Sequence, residues 1–310
     1  MNVLVTGGTG FVGRYLCAEL VDRGHEVRTM DRTPEPSAVP DAVETVAGDI
    51  TEYEDVAGAV EGQDAIINLV ALSPLFKPKG GNVMHERIHT GGTENCLRAA
   101  AEHDVERFVQ QSAMDAAVDA STHYLRAKGR AEKLVRESDL DWTIIRPSII
   151  FGEGGEFVSF TMKLTTPYVT GFPGGGRTPF QPIWVEDFVP MLVGCLEDDE
   201  HVGQTYEIGG PEVVTIGEVA RLGHRANGRS LKIVPIPMAL VGAGAKVGDA
   251  IPRFPFGVDQ YRGLKADNTT DENAIGAFGV EESDLTTLAS YLGLDNRQTS
   301  SPRAAKSVSN

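Results

Sequence analysis

Short apolar runs alternate with amphipathic segments along the first half of the chain. The runs contain β-branched residues, as is typical of strands in a parallel sheet, and they lie at 3–5, 26–30, 43–47, 64–70, 106–110 and 142–146. The segments between them carry apolar residues at helical spacing, most clearly at 11–23, 51–60, 84–102 and 124–137. Strands that alternate with helices in this way predict an α/β fold with a doubly wound parallel sheet.

The turn after the first strand is dense in glycine and reads Gly7-Gly8-Thr9-Gly10-Phe11-Val12-Gly13. Glycine allows a positive φ and a close approach of the backbone to a ligand. A helix that begins at Phe11 would direct its free N–H groups and its dipole at the turn, where a pyrophosphate fits. The strand, the turn and the helix together predict a Rossmann-type dinucleotide site. We expect it to use Gly7, Thr9, Gly10, Phe11, Val12 and Gly13.

Other predicted strand ends supply the remaining candidates for cofactor binding, because ligands bind at the carboxyl edge of such a sheet. An acidic residue about 20 positions after the glycines binds the ribose of NAD, whereas an arginine there binds the phosphate of NADP. The chain offers both, as Asp31 and Arg32, and we favour NAD. The other candidates at this edge are Asp49, Ile50, Val70, Ala71 and Pro147.

Tyr124 and Lys128 are the strongest candidates for chemistry. They are four residues apart on a predicted helix, so both side chains can reach one site. Tyrosine has a pKa near 10, and a lysine cation nearby would move it toward the working range of an acid or base. Ser112 ends the preceding strand, where it could hold a substrate oxygen. We therefore predict Tyr124, Lys128 and Ser112 as catalytic residues.

Charge narrows the range of partners. The 310-residue chain has a formal net charge of −16, with 44 acidic residues against 28 lysines and arginines. Such a surface repels phosphates, so we expect no nucleic-acid partner. Only nine of the basic residues are lysine, and acidic surfaces poor in lysine suit salty cytoplasm. We therefore hypothesise a halophilic protein that loses stability at low salt, where self-repulsion is unscreened.

No metal, disulfide or transmembrane segment is expected. Cys17, Cys96 and Cys195 are far apart and have no C-x-x-C spacing, and we expect no metal from the seven histidines either. Ile233 to Ile251 is the most apolar stretch, but two prolines, Lys246 and Asp249 interrupt it. Because the first strand begins almost at Met1, a cytoplasmic protein is expected.

The composition changes after residue 152, where glycine and proline become frequent. We predict a cofactor-binding core at 1–152, the remaining core elements with a small C-terminal substrate lobe at 153–295, and a disordered tail at 296–310. The apolar stretch 233–256 is interpreted as ordinary packing of the lobe. Two alternatives are that it covers an apolar substrate, or that it contacts a membrane or a partner.

Taken together, these motifs resemble the extended, atypical short-chain dehydrogenase/reductases, which are related to NAD-dependent epimerases and dehydratases. Within them, the chain is most similar to the branch of the Rossmann-fold accessory subunit of respiratory complex I and its prokaryotic relatives. The resemblance covers about residues 1–295 and rests on the glycine-rich turn, 48–50, 92–95, Tyr124 with Lys128, 146–148, 184–187, 206–210 and 234–268.

The resemblance implies roles for several of these residues. Gly7, Gly10 and Gly13 would hold the pyrophosphate, and Asp49 would contact adenine. Asp31 and Arg32 would select the cofactor. Tyr124 would be the acid or base, and Lys128 would bind the nicotinamide ribose. The chain departs from its relatives at His89, where they often have asparagine.

Two functions remain open from the sequence. The first is an oxidoreductase that moves a hydride between the nicotinamide and a carbonyl or alcohol of a small, possibly apolar substrate. The second is a non-catalytic NAD(P)-binding subunit or assembly factor, peripheral to a membrane respiratory complex of the NADH dehydrogenase kind, or a redox sensor.

Overall fold

The computed structural model describes residues 1–251 and 257–294. The strands are β1 (Asn2–Thr6), β2 (Glu26–Asp31), β3 (Glu44–Ala47), β4 (Ala65–Asn68), β5 (Arg107–Gln111), β6 (Asp141–Pro147), β7 (Ile150–Phe151), β8 (Tyr168–Pro173), β9 (Pro179–Phe180), β10 (Ile183–Trp184), β11 (Gln204–Ile208), β12 (Val214–Thr215) and β13 (Leu231–Ile236). The predicted tail at 296–310 lies outside the described residues, as does the 252–256 part of the apolar stretch.

The helices are α1 (Phe11–Asp22), α2 (Tyr53–Val60), α3 (Val83–His85), α4 (Gly92–Glu102), α5 (His123–Arg136), α6 (Glu156–Lys163), α7 (Val185–Glu197), α8 (Ile216–Ala226), α9 (Met238–Ala250), α10 (Val258–Gly263) and α11 (Leu288–Tyr291). A π-helical segment, Glu86–Gly91, joins α3 to α4. The sequence predicted one continuous helix over 84–102, and the structure corrects this to three consecutive pieces.

Seven parallel strands form the central sheet in the order β11-β6-β5-β4-β1-β2-β3. The strand order reverses between β1 and β4, and this switch point opens a crevice at the carboxyl edge of the sheet. The predicted doubly wound parallel sheet is therefore confirmed. β11 begins at residue 204, so the chain returns to the central sheet after the segment that holds β7 to β10.

Helices cover both faces of the sheet, and each face has its own apolar core. One core packs α1 and α7 against the sheet and includes Leu16, Leu20 and Phe188. The other packs α2, α4 and α5 against the opposite face and includes Phe108 and Ile144. Because both faces are covered, the interiors of the central strands β1 and β4 are apolar without interruption, which explains the apolar runs there.

A third apolar cluster lies apart from these two and forms the core of the lobe. Its buried members come from β7, α6, β8, β9, β12, α8 and α11, and they include Phe151, Phe157, Phe172, Phe180 and Ile216. Two small sheets border it, with β8 parallel to β13 and β9 antiparallel to β12. The lobe therefore places aromatic side chains beyond the carboxyl edge of the central sheet.

Two helical glycines offer a matched test of close packing. A Cβ at Gly129 in α5 would lie 2.3–2.6 Å from backbone atoms of Ala117, whereas a Cβ at Gly58 in α2 would meet nothing within 4 Å. We expect Gly58→Ala to raise the free energy of unfolding by about 0.5–1 kcal/mol through helix propensity. We expect Gly129→Ala to lower it by about 1–3 kcal/mol through overpacking. Urea unfolding of both variants checks this, and stabilisation by both would contradict the close approach.

Candidate active site

One cavity of about 840 Å³ runs along the carboxyl edge of the central sheet and into the lobe. Of the residues predicted from the sequence, it is lined by Gly7, Gly10, Phe11, Val12, Gly13, Asp31, Arg32, Asp49, Ile50, Val70, Ala71, Ser112, Tyr124 and Pro147. Thr9 and Lys128 are not part of its wall, and both contact residues that are. Predicted cofactor-binding residues and predicted catalytic residues therefore line the same cavity.

The glycine-rich turn has a shape that only glycine can give. Gly7 has φ of 81°, in the left-handed region that favours glycine. A Cβ at Gly13 would lie 2.3 Å from the Gly7 carbonyl oxygen and 2.5 Å from the Gly8 Cα, so α1 packs directly on the turn. The cradle at the start of α1 fits a pyrophosphate in both space and dipole direction.

Asp31 is held at the end of β2 by two hydrogen bonds. Its Oδ2 accepts from the backbone N–H of Thr9 and from the Thr29 hydroxyl, each at 3.0 Å. The same carboxylate therefore fixes the glycine-rich turn and lies at the cavity wall. Arg32 follows it in the same wall, so the cofactor end carries both of the side chains that could select NAD or NADP.

Asp49 lies where an adenine could be contacted. Its Oδ1 accepts from the backbone N–H and the hydroxyl of Thr51, at 3.0 and 2.9 Å. Burial opposes the charged form, but these hydrogen bonds and the charges of Arg32 and Arg87 outweigh it and lower the pKa of Asp49. The group is therefore an ionised acceptor at neutral pH.

The N-terminal end of α5 sets Tyr124 and Lys128 in place. The Thr122 hydroxyl caps this helix by accepting from the backbone N–H of Leu125 at 3.2 Å. Tyr124 lines the cavity, while Lys128 is buried behind it and donates from Nζ to the Gln111 carbonyl oxygen at 2.9 Å. Ser112 is buried in the same wall, and its hydroxyl has no protein partner. A hydroxyl without a protein partner beside a cavity is suited to holding a substrate oxygen.

The pKa values differ from the sequence-based expectation. Burial raises the pKa of Tyr124 to about 12, so in this arrangement the lysine does not lower it. Burial also lowers the pKa of Lys128 to about 8, an effect that the Glu132 carboxylate opposes. The physical reason is that burial removes water from both groups and so disfavours the charged form of each. In addition, the ammonium is directed at the Gln111 carbonyl oxygen. Tyr124 is therefore a protonated donor at neutral pH.

The buried ammonium makes stability depend on pH in a defined window. The pKa of Lys128 is lowered from 10.5 to about 8, so between these values the unfolded chain binds more protons than the folded one. The penalty for burying the charge is complete below pH 8 and disappears as the pH rises to 10.5. We expect the free energy of unfolding of wild type, relative to Lys128→Met, to rise by about 3 kcal/mol across that window. Chemical unfolding at several pH values measures it.

Taking the difference in stability between wild type and Lys128→Met also cancels the effects of other groups that titrate in the same pH range. Burial raises the pKa of the thiols of Cys17, Cys96 and Cys195 to about 12, and these thiols are present in both proteins. A difference in stability that stays constant from about pH 7.5 to 10.5 would show that Lys128 titrates normally. All three cysteines are buried and free, as predicted.

The expectation about histidines overlooked a motif. His85-Glu86-Arg87-Ile88-His89 has the H-E-x-x-H spacing found on zinc-binding helices. In the structure, the two imidazoles stack with centroids 5.6 Å apart and planes at 11°. Within the described residues, no third His, Cys, Asp or Glu joins them in a possible metal site, and Glu86 pairs with Arg130 at the surface.

His85 and His89 both pack against the ring of Tyr124. The tyrosine ring meets the two imidazoles edge-on, with centroids 5.7 and 5.3 Å away. Burial is the main cause that lowers the pKa of both histidines, so they are neutral near pH 7. The Nδ1 atoms of both are buried without a protein partner. They lie on either side of the junction between α3 and the π-helical segment, and such segments are frequent at functional sites.

Other residues of the wall carried little signal in the sequence. Asp115 lines the cavity with φ of 60°, and burial, followed by the charge of Glu207, raises its pKa. Asn268 comes from the far end of the chain and reaches Ser148, whose hydroxyl donates to its Oδ1 at 2.7 Å. Only a spacing of four residues between histidines could have drawn attention to His85 and His89. Asp115 and Asn268 had no local sequence pattern that could have marked them as part of the wall.

The lobe end of the cavity is apolar. Its wall includes Ile149, Phe157, Phe160, Leu164, Phe172, Phe180, Ile216 and Leu264. Among the described residues, Arg32 is the only arginine or lysine in the wall, and it lies at the cofactor end. A second phosphate-bearing molecule would therefore find no cation to neutralise it at the lobe end.

One further group of possible metal ligands occurs in the described chain, formed by Asp198, Glu200 and His201. The two carboxylates are exposed, and His201 Nδ1 already shares a hydrogen bond with the Tyr206 hydroxyl at 2.9 Å. In addition, no helix within 1–251 or 257–294 is long and apolar enough to cross a membrane.

The parallel sheet, the glycine cradle and the acidic end of β2 define an NAD(P)-binding Rossmann protein. Residues 7–166 match the family model described as NAD(P)H-binding, which is more than half of the chain, and the chain belongs to this family. It is 29% identical over 292 residues to NADH dehydrogenase (ubiquinone) 1 alpha subcomplex subunit 9 of Arabidopsis thaliana mitochondria, covering 87% of this chain and 71% of that protein. The predicted relationship to that accessory subunit is confirmed.

A second relative is an enzyme by its description. The 3-beta-hydroxysteroid dehydrogenase of Mycolicibacterium neoaurum is 30% identical over 293 residues, covering 83% of this chain and 78% of that protein. Among solved structures, UDP-glucose 4-epimerase of Thermus thermophilus with NAD matches with a TM-score of 0.65 and 22% identity, covering 85% of this chain and 99% of that one. The last match shows a shared fold.

Proposed function

We propose that this protein is an NAD(P)-dependent oxidoreductase that acts on an alcohol or carbonyl group of an uncharged, apolar small molecule. The observation that carries the proposal is the single cavity, which joins the glycine cradle to Tyr124 and Ser112 and ends in an apolar wall. The acid, the hydroxyl and the cradle are what hydride transfer to a carbonyl requires.

Each residue has a role that follows from its contacts. When bound, the nicotinamide would supply or accept the hydride. Ser112 donates its unpartnered hydroxyl to the substrate oxygen, and the protonated Tyr124 transfers its proton to that oxygen during reduction. Lys128 is anchored on the Gln111 carbonyl one helical turn after Tyr124, where it would bind a hydroxyl of the nicotinamide ribose.

The apolar wall and the lack of a cation there support the substrate class. Phe160 and Phe172 provide contact area without charge, and Glu156, which precedes Phe157, brings a negative charge to that wall. Burial of an apolar substrate would be favoured by about 25 cal/mol for each Å² removed from water. A nucleoside diphosphate sugar would instead bring its negative charges into an uncompensated site. The description of the Mycolicibacterium relative as a hydroxysteroid dehydrogenase agrees with this choice.

For the cofactor, we propose NAD. Asp31 would accept hydrogen bonds from ribose hydroxyls and repel the additional phosphate of NADP. We expect NADH to bind at least tenfold more tightly than NADPH, and Asp31→Ser to reduce that ratio by about 10-fold or more, the value of a hydrogen bond to a charged group. Nicotinamide fluorescence titrations measure both, with the exposed Asp41→Ser as a control of equal charge. Equal affinities in wild type would contradict the choice of NAD.

The activity itself is tested by a substrate screen. Purified protein with NADH is mixed with apolar ketones, polycyclic ketones and quinones, and with NAD it is mixed with apolar secondary alcohols. Nucleoside diphosphate sugars serve as the comparison class. Turnover confined to apolar substrates supports the proposal, and turnover confined to nucleotide sugars would overturn the substrate class.

A second candidate is a non-catalytic NAD(P)-binding subunit or assembly factor of a membrane redox complex. The 29% identity to the accessory subunit from Arabidopsis favours it. It predicts cofactor binding with no turnover on any screened substrate, together with copurification with membrane redox proteins. The titration and the screen therefore separate the two functions.

A further inference from the structure

The sheet formed by β8 and β13 exposes one face that is mostly apolar. Alternate residues of a strand point to the same side, and the parallel register pairs Val169 with Lys232, Gly171 with Val234 and Pro173 with Ile236. The exposed fractions of Val169, Val234 and Ile236 are 54%, 46% and 36%. This row of side chains ends where α9 begins.

Helix α9 continues that surface. Leu240 is 65% exposed and Val247 is 61% exposed, and Ala243 and Gly244, which lie between them on the same side of the helix, are exposed as well. Ala245 on the opposite side is buried. The exposed side of α9 between Leu240 and Val247 is thus apolar, which is the kind of surface that a partner normally covers. We call Val169, Val234, Ile236, Leu240 and Val247 the lobe face.

The charges around the lobe face differ from those of the rest of the chain. Lys232 and Lys246 are exposed on β13 and α9, and Lys163 is exposed at the end of α6. Asp249, the only acidic residue of β8, β13 and α9, interacts with Lys77 at 3.6 Å. In a protein with a net charge of −16, β8, β13 and α9 together carry two lysines and one acidic residue.

The lobe face is continuous with the wall of the cavity. Gly171 and Pro173 line the cavity, and their β-sheet partners Val234 and Ile236 belong to the lobe face. Leu164, which also lines the cavity, is half exposed and follows Lys163 directly. The lobe face and the wall of the cavity therefore share strand β8.

We propose that the lobe face docks on a lipid bilayer that contains anionic headgroups, and that the cavity takes its apolar substrate from that bilayer. Helix α9 has 13 residues, too short for the roughly 20 that span a bilayer, so it would lie in the plane of the interface. Its apolar side enters the acyl boundary while Lys163, Lys232 and Lys246 contact headgroup phosphates.

A bilayer explains these observations better than a protein partner does. Strand β8 borders both the lobe face and the cavity, and a membrane would cover that face and also supply a dissolved apolar substrate. The lysines around it would meet the negative potential of anionic lipids, an attraction of about 1 kcal/mol per basic residue. The inference rests on the proposed function for the identity of the substrate, whereas the docking itself does not require turnover.

The test is flotation of the full-length protein with lipid vesicles. One set contains phosphatidylcholine alone, and the other also contains about one third phosphatidylglycerol, so that its surface charge exceeds that of ordinary membranes. We expect wild type to float with the mixed vesicles and less with the neutral ones. Leu240→Glu and Val247→Glu should each reduce the bound fraction at least about tenfold, since each removes buried apolar surface and adds a negative charge. Val118→Glu is the matched control, because Val118 is 50% exposed in the loop before α5.

The outcomes are separable. Loss of flotation in Leu240→Glu and Val247→Glu but not in Val118→Glu supports docking. Wild type that stays unbound with both vesicles, or three variants that behave alike, would overturn it. If the vesicles fail and Leu240→Glu instead abolishes coelution with a protein, the lobe face belongs to a protein partner and the proposal is wrong. NADH titration of each variant reports the cofactor site independently, so failure of docking is distinguished from failure of the proposed function.

Discussion

Tyr124→Phe is expected to reduce kcat by about 10²–10⁴-fold on a substrate that the wild-type protein turns over, the range for losing a positioned general acid. Phenylalanine keeps the ring against His85 and His89, where the edge-on contacts are at 5.7 and 5.3 Å, and removes only the hydroxyl. The Kd for NADH should remain within about twofold, because Tyr124 does not form the glycine cradle. Steady-state kinetics and fluorescence titration measure the two values.

Tyr206→Phe provides the matched control. It also removes one phenolic hydroxyl, but that hydroxyl bonds to His201 away from the cavity. We expect it to cost about 1 kcal/mol in stability and to leave kcat unchanged. Tyr124→Phe with unchanged kcat would refute its role as the acid. The second candidate function predicts that neither variant alters anything except stability.

Arg146→Leu is expected to lower the free energy of unfolding by about 3–5 kcal/mol, the cost of removing one partner of a buried ion pair. Glu132 on α5 is almost fully buried and receives two hydrogen bonds from Arg146, at 2.8 and 2.6 Å. The hydrogen bonds to Glu132 raise the pKa of Arg146 above its ordinary value. Without Arg146, the carboxylate keeps only Arg136, which is partly exposed.

The control for this prediction is the same substitution in a surface pair. Arg87 and Glu52 form an ion pair at 3.0 Å with both side chains more than half exposed, so Arg87→Leu should change stability by less than about 1 kcal/mol. Guanidinium unfolding gives both values. Similar effects of the two substitutions would show that the Glu132 network contributes no more than a surface pair. Because Glu132 is one helical turn from Lys128, Arg146→Leu should also disturb the active-site face of α5.

The sequence predicted the framework of the molecule correctly because its signals are local. The apolar runs coincide with β1 to β6 within one or two residues at most ends. The glycine-rich turn and the end of β2 also meet as the spacing implied, with Thr9 and Asp31 in contact. Residues within one strand–turn–helix unit determine these features.

Other features could not be predicted because they depend on residues that are distant in sequence. The 84–102 segment was expected to be one helix, but packing against the tyrosine of α5 and against Ile50 accompanies a π-helical segment. A Cβ at Gly92 would meet the Ile50 side chain at 3.0 Å, which explains a glycine at this position that a helix would otherwise disfavour. The favoured interpretation of the apolar stretch as packed lobe was also incomplete, since β13 and α9 expose several of its side chains.

The sequence by itself thus determined the sheet, the glycine cradle and the choice of Tyr124, Lys128 and Ser112 as candidates, because periodicity and turn chemistry act over a few residues. Only the tertiary structure decided that Lys128 bonds to a backbone carbonyl, that two neutral histidines contact the ring of Tyr124, and that β8 borders both the cavity and an exposed apolar surface. Burial and partner distance control these properties, and both arise only when segments from opposite ends of the chain pack together.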